Sequence, residues 1–179
     1  IALRAGEVLR YPMDVAPFLG IPHPGVDLAD PLADLVPQGD SVLLLGIAPT
    51  AVPHGWALER FADLAQMHCD RELPLIDGPG IVELGDAHRA DVLALTALVY
   101  PHYFRPRTMD LGRYFGIYVE GRLAAMIGER LGAPGFREMS AICTHPDFLG
   151  RGYARRLTAF LTNQTLQDGR QPFLHVAYA

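Results

Sequence analysis

The stretch CTHPDFLGRGYARRLTAFL, residues 143–161, decides how this chain folds. The apolar run MSAICT leads into it, Pro146 breaks the run, and Gly150 and Gly152 open directly into a helical pattern. Tyr153, Leu157, Phe160 and Leu161 fall on one face of that helix, and Asp168-Gly169 close it. QPFLHVAYA, residues 171–179, then reads as a strand. A strand–loop–helix–strand unit predicts a parallel pair joined by a right-handed crossover. The start of such a helix presents unpaired backbone N–H groups and the positive end of a dipole, which together make an anion site. Glycine at 150 and 152 lets a phosphate approach those groups with no Cβ in the way. The competing reading is a tight turn that needs glycine for its backbone angles alone. The spacing is neither G-x-x-x-x-G-K-[ST] nor G-x-G-x-x-G, because Arg155 stands three residues after Gly152.

Working outward, YFGIYVEGRLAAMIGERL, residues 114–131, reads as a hairpin around the turn EGR, and FREMSAICT, residues 136–144, as the next strand. DAHRADVLALTALVY, residues 86–100, has helical periodicity through Val92, Leu93, Thr96 and Val99, with Asp86 as N-cap and Pro101 as stop. IVEL, residues 81–84, is strand-like, and the proline- and glycine-rich RELPLIDGPG, residues 71–80, is the candidate linker. Earlier in the chain Asp30 and Pro31 are expected to cap and open a helix over PLADLV, while SVLLLGI, residues 41–47, reads as a buried strand. ALERFADLAQMHC, residues 57–69, keeps helical spacing at Leu58, Phe61, Ala62 and Ala65 yet is short enough for a strand; propensity favours helix.

Half of the 179 residues are hydrophobic, which is ample for a core in one large domain or two small ones. A net charge of −5 argues against a nucleic-acid partner. No apolar run approaches the roughly 20 residues that cross a bilayer, so no membrane partner is expected. The first residues, IALRAGEVLR, carry no basic segment ahead of an apolar one, which predicts no secretory signal, and a start on Ile1 predicts a trimmed chain. Cys69 and Cys143, far apart in apolar surroundings, read as thiols of a reducing compartment, the cytoplasm. All 15 basic residues are arginine, which excludes Schiff-base chemistry and a lysine general base.

ICTHPDFLGRGYARRLTAFL resembles the acetyl-CoA-binding motif of the GNAT superfamily of N-acetyltransferases, [QR]-x-x-G-x-[GA], which falls here on Leu149, Gly150, Arg151, Gly152, Tyr153 and Ala154. Leu149 departs from the pattern, removing a side-chain contact but not the backbone amides. The resemblance covers residues 80 to 179 and implies an α+β (mixed α/β) fold, a mixed, mostly antiparallel sheet flanked by helices. It assigns residues 79–179 to the acetyltransferase domain, expected to lack its last helix and strands, and residues 1–78 to an N-terminal α/β extension or degenerate half-domain. It also implies acetyl-CoA as co-substrate and no metal. The MSAICT strand would splay from the next one at a bulge, the pantetheine arm would lie on Ile142, Cys143 and Thr144, and the amides of Gly150 to Arg155 would take the phosphates.

The implied chemistry is direct attack of a primary amine on the thioester, which needs a base, an oxyanion donor and an acid. Glu138 is the first candidate base and Glu129 the second, on strands that would bring both carboxylates to one cleft; each is equally a solvated strand-end carboxylate. The N–H of Ile142 or Thr144 would serve the oxyanion. The acid, a tyrosine on a later helix in the family, is expected beyond Ala179, and Tyr178, within a strand, is a poor substitute. The loop YPHYFRPRT, residues 100–108, would admit a small-molecule or peptide amine, and a homodimer is compatible with the sequence. The alternative function is an acyl-CoA-binding module without turnover.

Two weaker constellations stand beside these. Cys143 and His145 share a strand face and invite a thiol nucleophile, although roughly 7 Å between their Cα atoms at strand rise is long for a dyad. The same pair with His175 or Cys69 would make zinc ligands without any supporting C-x-x-C or H-x-x-x-H spacing.

Overall fold

A computed structural model describes residues 1–61, 63–99, 101 and 103–177. The chain forms two compact units, Ile1–Phe61 and Ala62–Ala179. In the first, strands β1 (Leu3–Ala5), β2 (Val8–Arg10) and β3 (Leu19–Gly20) form an antiparallel meander, and helix α1 (Ala29–Leu35) follows. Val8, Leu19, Leu28, Leu32, Leu35 and Val36 make its core. The start of α1 differs from expectation: Leu28 is the N-cap, and Asp27 Oδ1 accepts from the Ala29 amide at 2.9 Å, so the cap lies before Asp30. SVLLLGI is not a strand either; Leu43 makes one bridge, to Phe18. Leu43 bonds to the Leu19 N–H and the Pro17 carbonyl, and the next group on that edge, Pro17, has no N–H with which to extend the ladder.

The second unit opens on β4 (Leu64–His68), where propensity favoured helix. All five residues pair antiparallel with the final strand, so a partner about a hundred positions away overrides the local preference. Then come β5 (Val82–Glu83), a 3-10 turn at Asp86–His88, α2 (Arg89–Val99), β6 (Tyr114–Val119), β7 (Arg122–Ala133), β8 (Phe136–Thr144), α3 (Tyr153–Gln167) and β9 (Gln171–Ala177). Gly85, not Asp86, caps the turn that leads into α2. The sheet order is β4-β9-β8-β7-β6-β5, antiparallel throughout except for the parallel pair β8–β9 that α3 connects. This is the mixed, mostly antiparallel sheet flanked by helices that the resemblance implies.

Strand alternation sends neighbouring side chains to opposite faces. On one face Val92 and Leu95 of α2 pack with Tyr114, Leu123, Met126 and Cys143. On the other, Leu157 and Leu161 of α3 pack with Phe115, Ile117, Ala125, Ile127 and Met139. The stretch 71–80 runs along α3: the buried Asn163 side chain takes the Leu73 N–H at 2.8 Å and donates to its C=O at 2.9 Å, and Arg156 Nε donates to the Pro79 carbonyl at 3.1 Å.

Two bulges shape the middle of the sheet. Between Ser140 and Cys143 β8 carries an extra residue against β7, and Ala141 there adopts φ +52°. Farther along, Arg130 and Leu131 of β7 together oppose Glu138, which returns the register. Paired bulges of this kind re-aim side chains without losing the sheet.

Candidate active site

Among the described residues β8 and β9 are hydrogen-bonded only over Phe136–Glu138 and Gln171–Phe173. Past that point β9 keeps β4 on its outer edge while β8 keeps β7, so the two parallel strands part. The edge of β8 from Met139 to Thr144, including Ile142, Cys143 and Thr144, therefore faces an opening with no strand partner among the described residues. The bulge and splay that the family resemblance implies are both present.

At the far end of that edge the chain turns into α3. His145 caps a 3-10 turn, its Nδ1 accepting from the Asp147 amide at 3.1 Å. Buried Phe148 anchors the loop, with the Arg122 and Arg151 guanidinium groups over its ring at 4.6 and 5.1 Å and Arg122 paired to Asp147 at 2.8 Å. Gly150 and Gly152 have φ +74° and +75°, the left-handed region that only glycine enters freely. From Gly150 to Arg155 no backbone N–H has an acceptor among the described residues; the first helical bond here runs from the Arg156 N–H to the Gly152 carbonyl. Among the described residues no side chain caps the helix, and no acidic residue stands in its first turn, while Arg151 and Arg155 are exposed beside it. A helix end of this kind favours an anion.

The two candidate carboxylates do not share a cleft. Glu129 pairs with Met139 and so faces α3; it is buried, with Oε1 2.7 Å from Arg113, whose guanidinium also reaches Asp168 at the end of α3. Glu138 faces the opposite side, that of α2, and is 1% exposed. Its Oε1 accepts from Arg130 at 2.7 Å and meets His175 Nδ1 at 2.8 Å; its Oε2 accepts from Arg130 Nε at 2.8 Å and from the Leu131 amide at 3.2 Å. Burial alone would raise the Glu138 carboxyl, but Arg130, with help from His175, outweighs it and holds the group below the usual carboxylate value. Arg130, Leu131 and His175 were not singled out by sequence as a set, because only the bulge and the β8–β9 register bring them together.

Cys143 lies among the apolar side chains on the α2 face, and burial pushes its thiol up to about 12. His145 is engaged with its own turn, so the two do not form a nucleophilic pair. Among the described residues no group of three His, Cys, Asp or Glu side chains is placed to hold a metal ion. Of the loop expected to admit an acceptor, Tyr100 and His102 lie outside the described residues, as does Tyr178. Phe104 packs edge-on to Tyr114 at 5.8 Å, which places this loop on the α2 face, the face of Glu138. No helix among the described residues is long and apolar enough to cross a membrane.

The FR47-like protein family model matches residues 114–179. A protein of Novosphingobium aromaticivorans assigned as an acetyltransferase of the GNAT family is 32% identical and superposes with a TM-score of 0.83, over 99% of this chain and 79% of that one. A GNAT-family acetyltransferase of Colwellia psychrerythraea is 14% identical with a TM-score of 0.55, over 65% of this chain and 47% of that one, a likeness of fold alone. No curated protein matches the sequence.

Proposed function

The chain belongs to the GNAT family of acetyltransferases, and we propose that it moves an acetyl group from acetyl-CoA to the primary amine of a small-molecule or peptide acceptor by direct attack on the thioester. The observation that carries this reading is the run of amides from Gly150 to Arg155, without acceptors among the described residues, at the mouth of the split between β8 and β9. The fit to a diphosphate rests on their direction at a helix start, on two left-handed glycines without Cβ atoms, and on the absence of an acidic side chain in that turn. In this reading those amides hold the diphosphate, and the open edge at Ile142, Cys143 and Thr144 pairs with the pantetheine arm. Bound there, acetyl-CoA supplies an activated acyl carbon; an amide at Ile142 or Thr144 steadies charge on its carbonyl oxygen. A cytoplasmic location belongs to the same proposal.

A second reading, binding without transfer, is favoured by one feature: the Glu138 carboxylate is already committed to Arg130, Leu131 and His175. Incubation with acetyl-CoA and a panel of amines, following free thiol, separates the two. Thiol release that requires both reactants supports transfer. Calorimetric binding of acetyl-CoA with no release across the panel favours the second reading, and no binding removes both.

A further inference from the structure

We propose that His175 is the group that takes the proton from the acceptor amine, with Glu138 and Arg130 as positioning residues; this rests on the acetyl-transfer reading above. A carboxylate offers about four lone-pair positions. Glu138 fills its own with Arg130 Nη2 and His175 Nδ1 on Oε1, and with Arg130 Nε and the Leu131 amide on Oε2. An ionised carboxylate only accepts, so His175 Nδ1 must be the donor in that 2.8 Å contact. The ring is thereby fixed in the tautomer with hydrogen on Nδ1, and Nε2 is left with a free lone pair. Among the described residues no group is hydrogen-bonded to Nε2.

The position of the ring decides what that lone pair can do. His175 stands two residues beyond Phe173, the last residue of β9 paired with β8, and its ring reaches back to β8 at Glu138. It therefore bridges the closed end of the split. The amide seat lies past the other end of the open edge, with roughly 17 Å of strand between Met139 and Thr144, so an extended arm held at the seat directs its far end toward this ring. The ring shares the face of Glu138, where the loop carrying Phe104 lies, whereas α3 covers the opposite face. Its side chain is 15% exposed, which gives a substrate access while limiting water. Other groups near it are Gln66 and His68 of β4, which pair with His175 and Phe173, the Phe173 ring at 5.7 Å, and the buried Tyr114 hydroxyl near Arg130 and Glu138. None of these is hydrogen-bonded to Nε2.

The step balances without any further reagent. Nε2 takes one proton from the ammonium and later returns it to water. The freed amine forms a C–N bond to the carbonyl carbon, the C–S bond breaks, and the second nitrogen proton ends on the departing thiolate as CoA thiol.

Three measurements test the assignment. Nitrogen-15 NMR of the histidine rings in the free protein should show His175 with hydrogen on Nδ1, and Glu138→Gln should abolish that single-tautomer signature. The rate of thiol release by the unaltered protein should fall toward low pH with a midpoint equal to the His175 titration seen by NMR. His175→Gln should lower kcat by about 100-fold or more, remove that limb and leave the acetyl-CoA Kd within about twofold; Glu138→Gln should lower kcat about 10- to 100-fold with little change in KM. A His175→Gln protein that binds acetyl-CoA and retains its rate, or a limb that departs from the NMR titration, overturns the proposal while leaving acetyl transfer intact. An unaltered protein that binds acetyl-CoA yet releases no thiol with any amine overturns both.

Discussion

Glu138 is a carboxylate kept ionised inside a protein, and its cost and benefit follow from Coulomb and desolvation terms together. Removing its counterion while leaving the charge buried should cost about 3–5 kcal/mol, so Arg130→Met is expected to lower the urea midpoint sharply. The pH dependence has a definite sign. Burial opposes ionisation of Glu138 and Arg130 with His175 more than compensates, so its value is depressed in the folded protein. Its contribution to stability is then complete above the ordinary carboxylate value, about pH 4.3, and is lost as the pH falls through the lower folded value. Denaturation midpoints measured down an acid series should drop more steeply for the native chain than for Glu138→Gln. Cys143 gives a simpler expectation: with its thiol pushed up to about 12, it should resist alkylation at pH 8 in the folded protein, and Cys143→Ala should keep acetyl transfer. Sequence made the glycines at 150 and 152 legible because their meaning is local. It named Glu138 too, but not its partners: Arg130 is eight residues away across a bulge and His175 thirty-seven away across a parallel register.

At the scale of elements, the turn into α3 and the bulge in β8 are the parts that position chemistry. A Cβ on Gly152 meets nothing within 4 Å, so Gly152→Ala should cost only the left-handed backbone penalty of about 1–2 kcal/mol in the free protein. Acetyl-CoA affinity should fall further, by about tenfold or more, as judged by calorimetry. Ala141 carries the opposite burden, an alanine already at φ +52°, so Ala141→Gly should be neutral or stabilising by up to about 1 kcal/mol, unlike a usual strand glycine. Gly128 is held by packing instead: a Cβ there would lie 2.1 Å from the Tyr114 ring, and Gly128→Ala should destabilise by about 1–3 kcal/mol or more. Elements whose pattern is self-contained, α2, α3 and the β6–β7 hairpin, are readable in the sequence alone. β4 is not, since its strand state comes from β9, and SVLLLGI is not, since Pro17 lacks the N–H that would extend its one bridge into a ladder.

Across the whole molecule, a net charge of −5 coexists with a cationic, amide-rich helix start that no acidic side chain caps among the described residues. Ligand linkage then predicts that acetyl-CoA at about 100 times its Kd adds about 2.7 kcal/mol of stability and raises Tm by several degrees. The most direct test is a backbone amide NMR titration with acetyl-CoA. The largest shifts should fall on Gly150, Arg151, Gly152, Tyr153, Ala154 and Arg155, followed by Ile142 to Thr144 on β8. Saturation with these amides unmoved, the shifts lying elsewhere in the chain, would contradict the proposed seat.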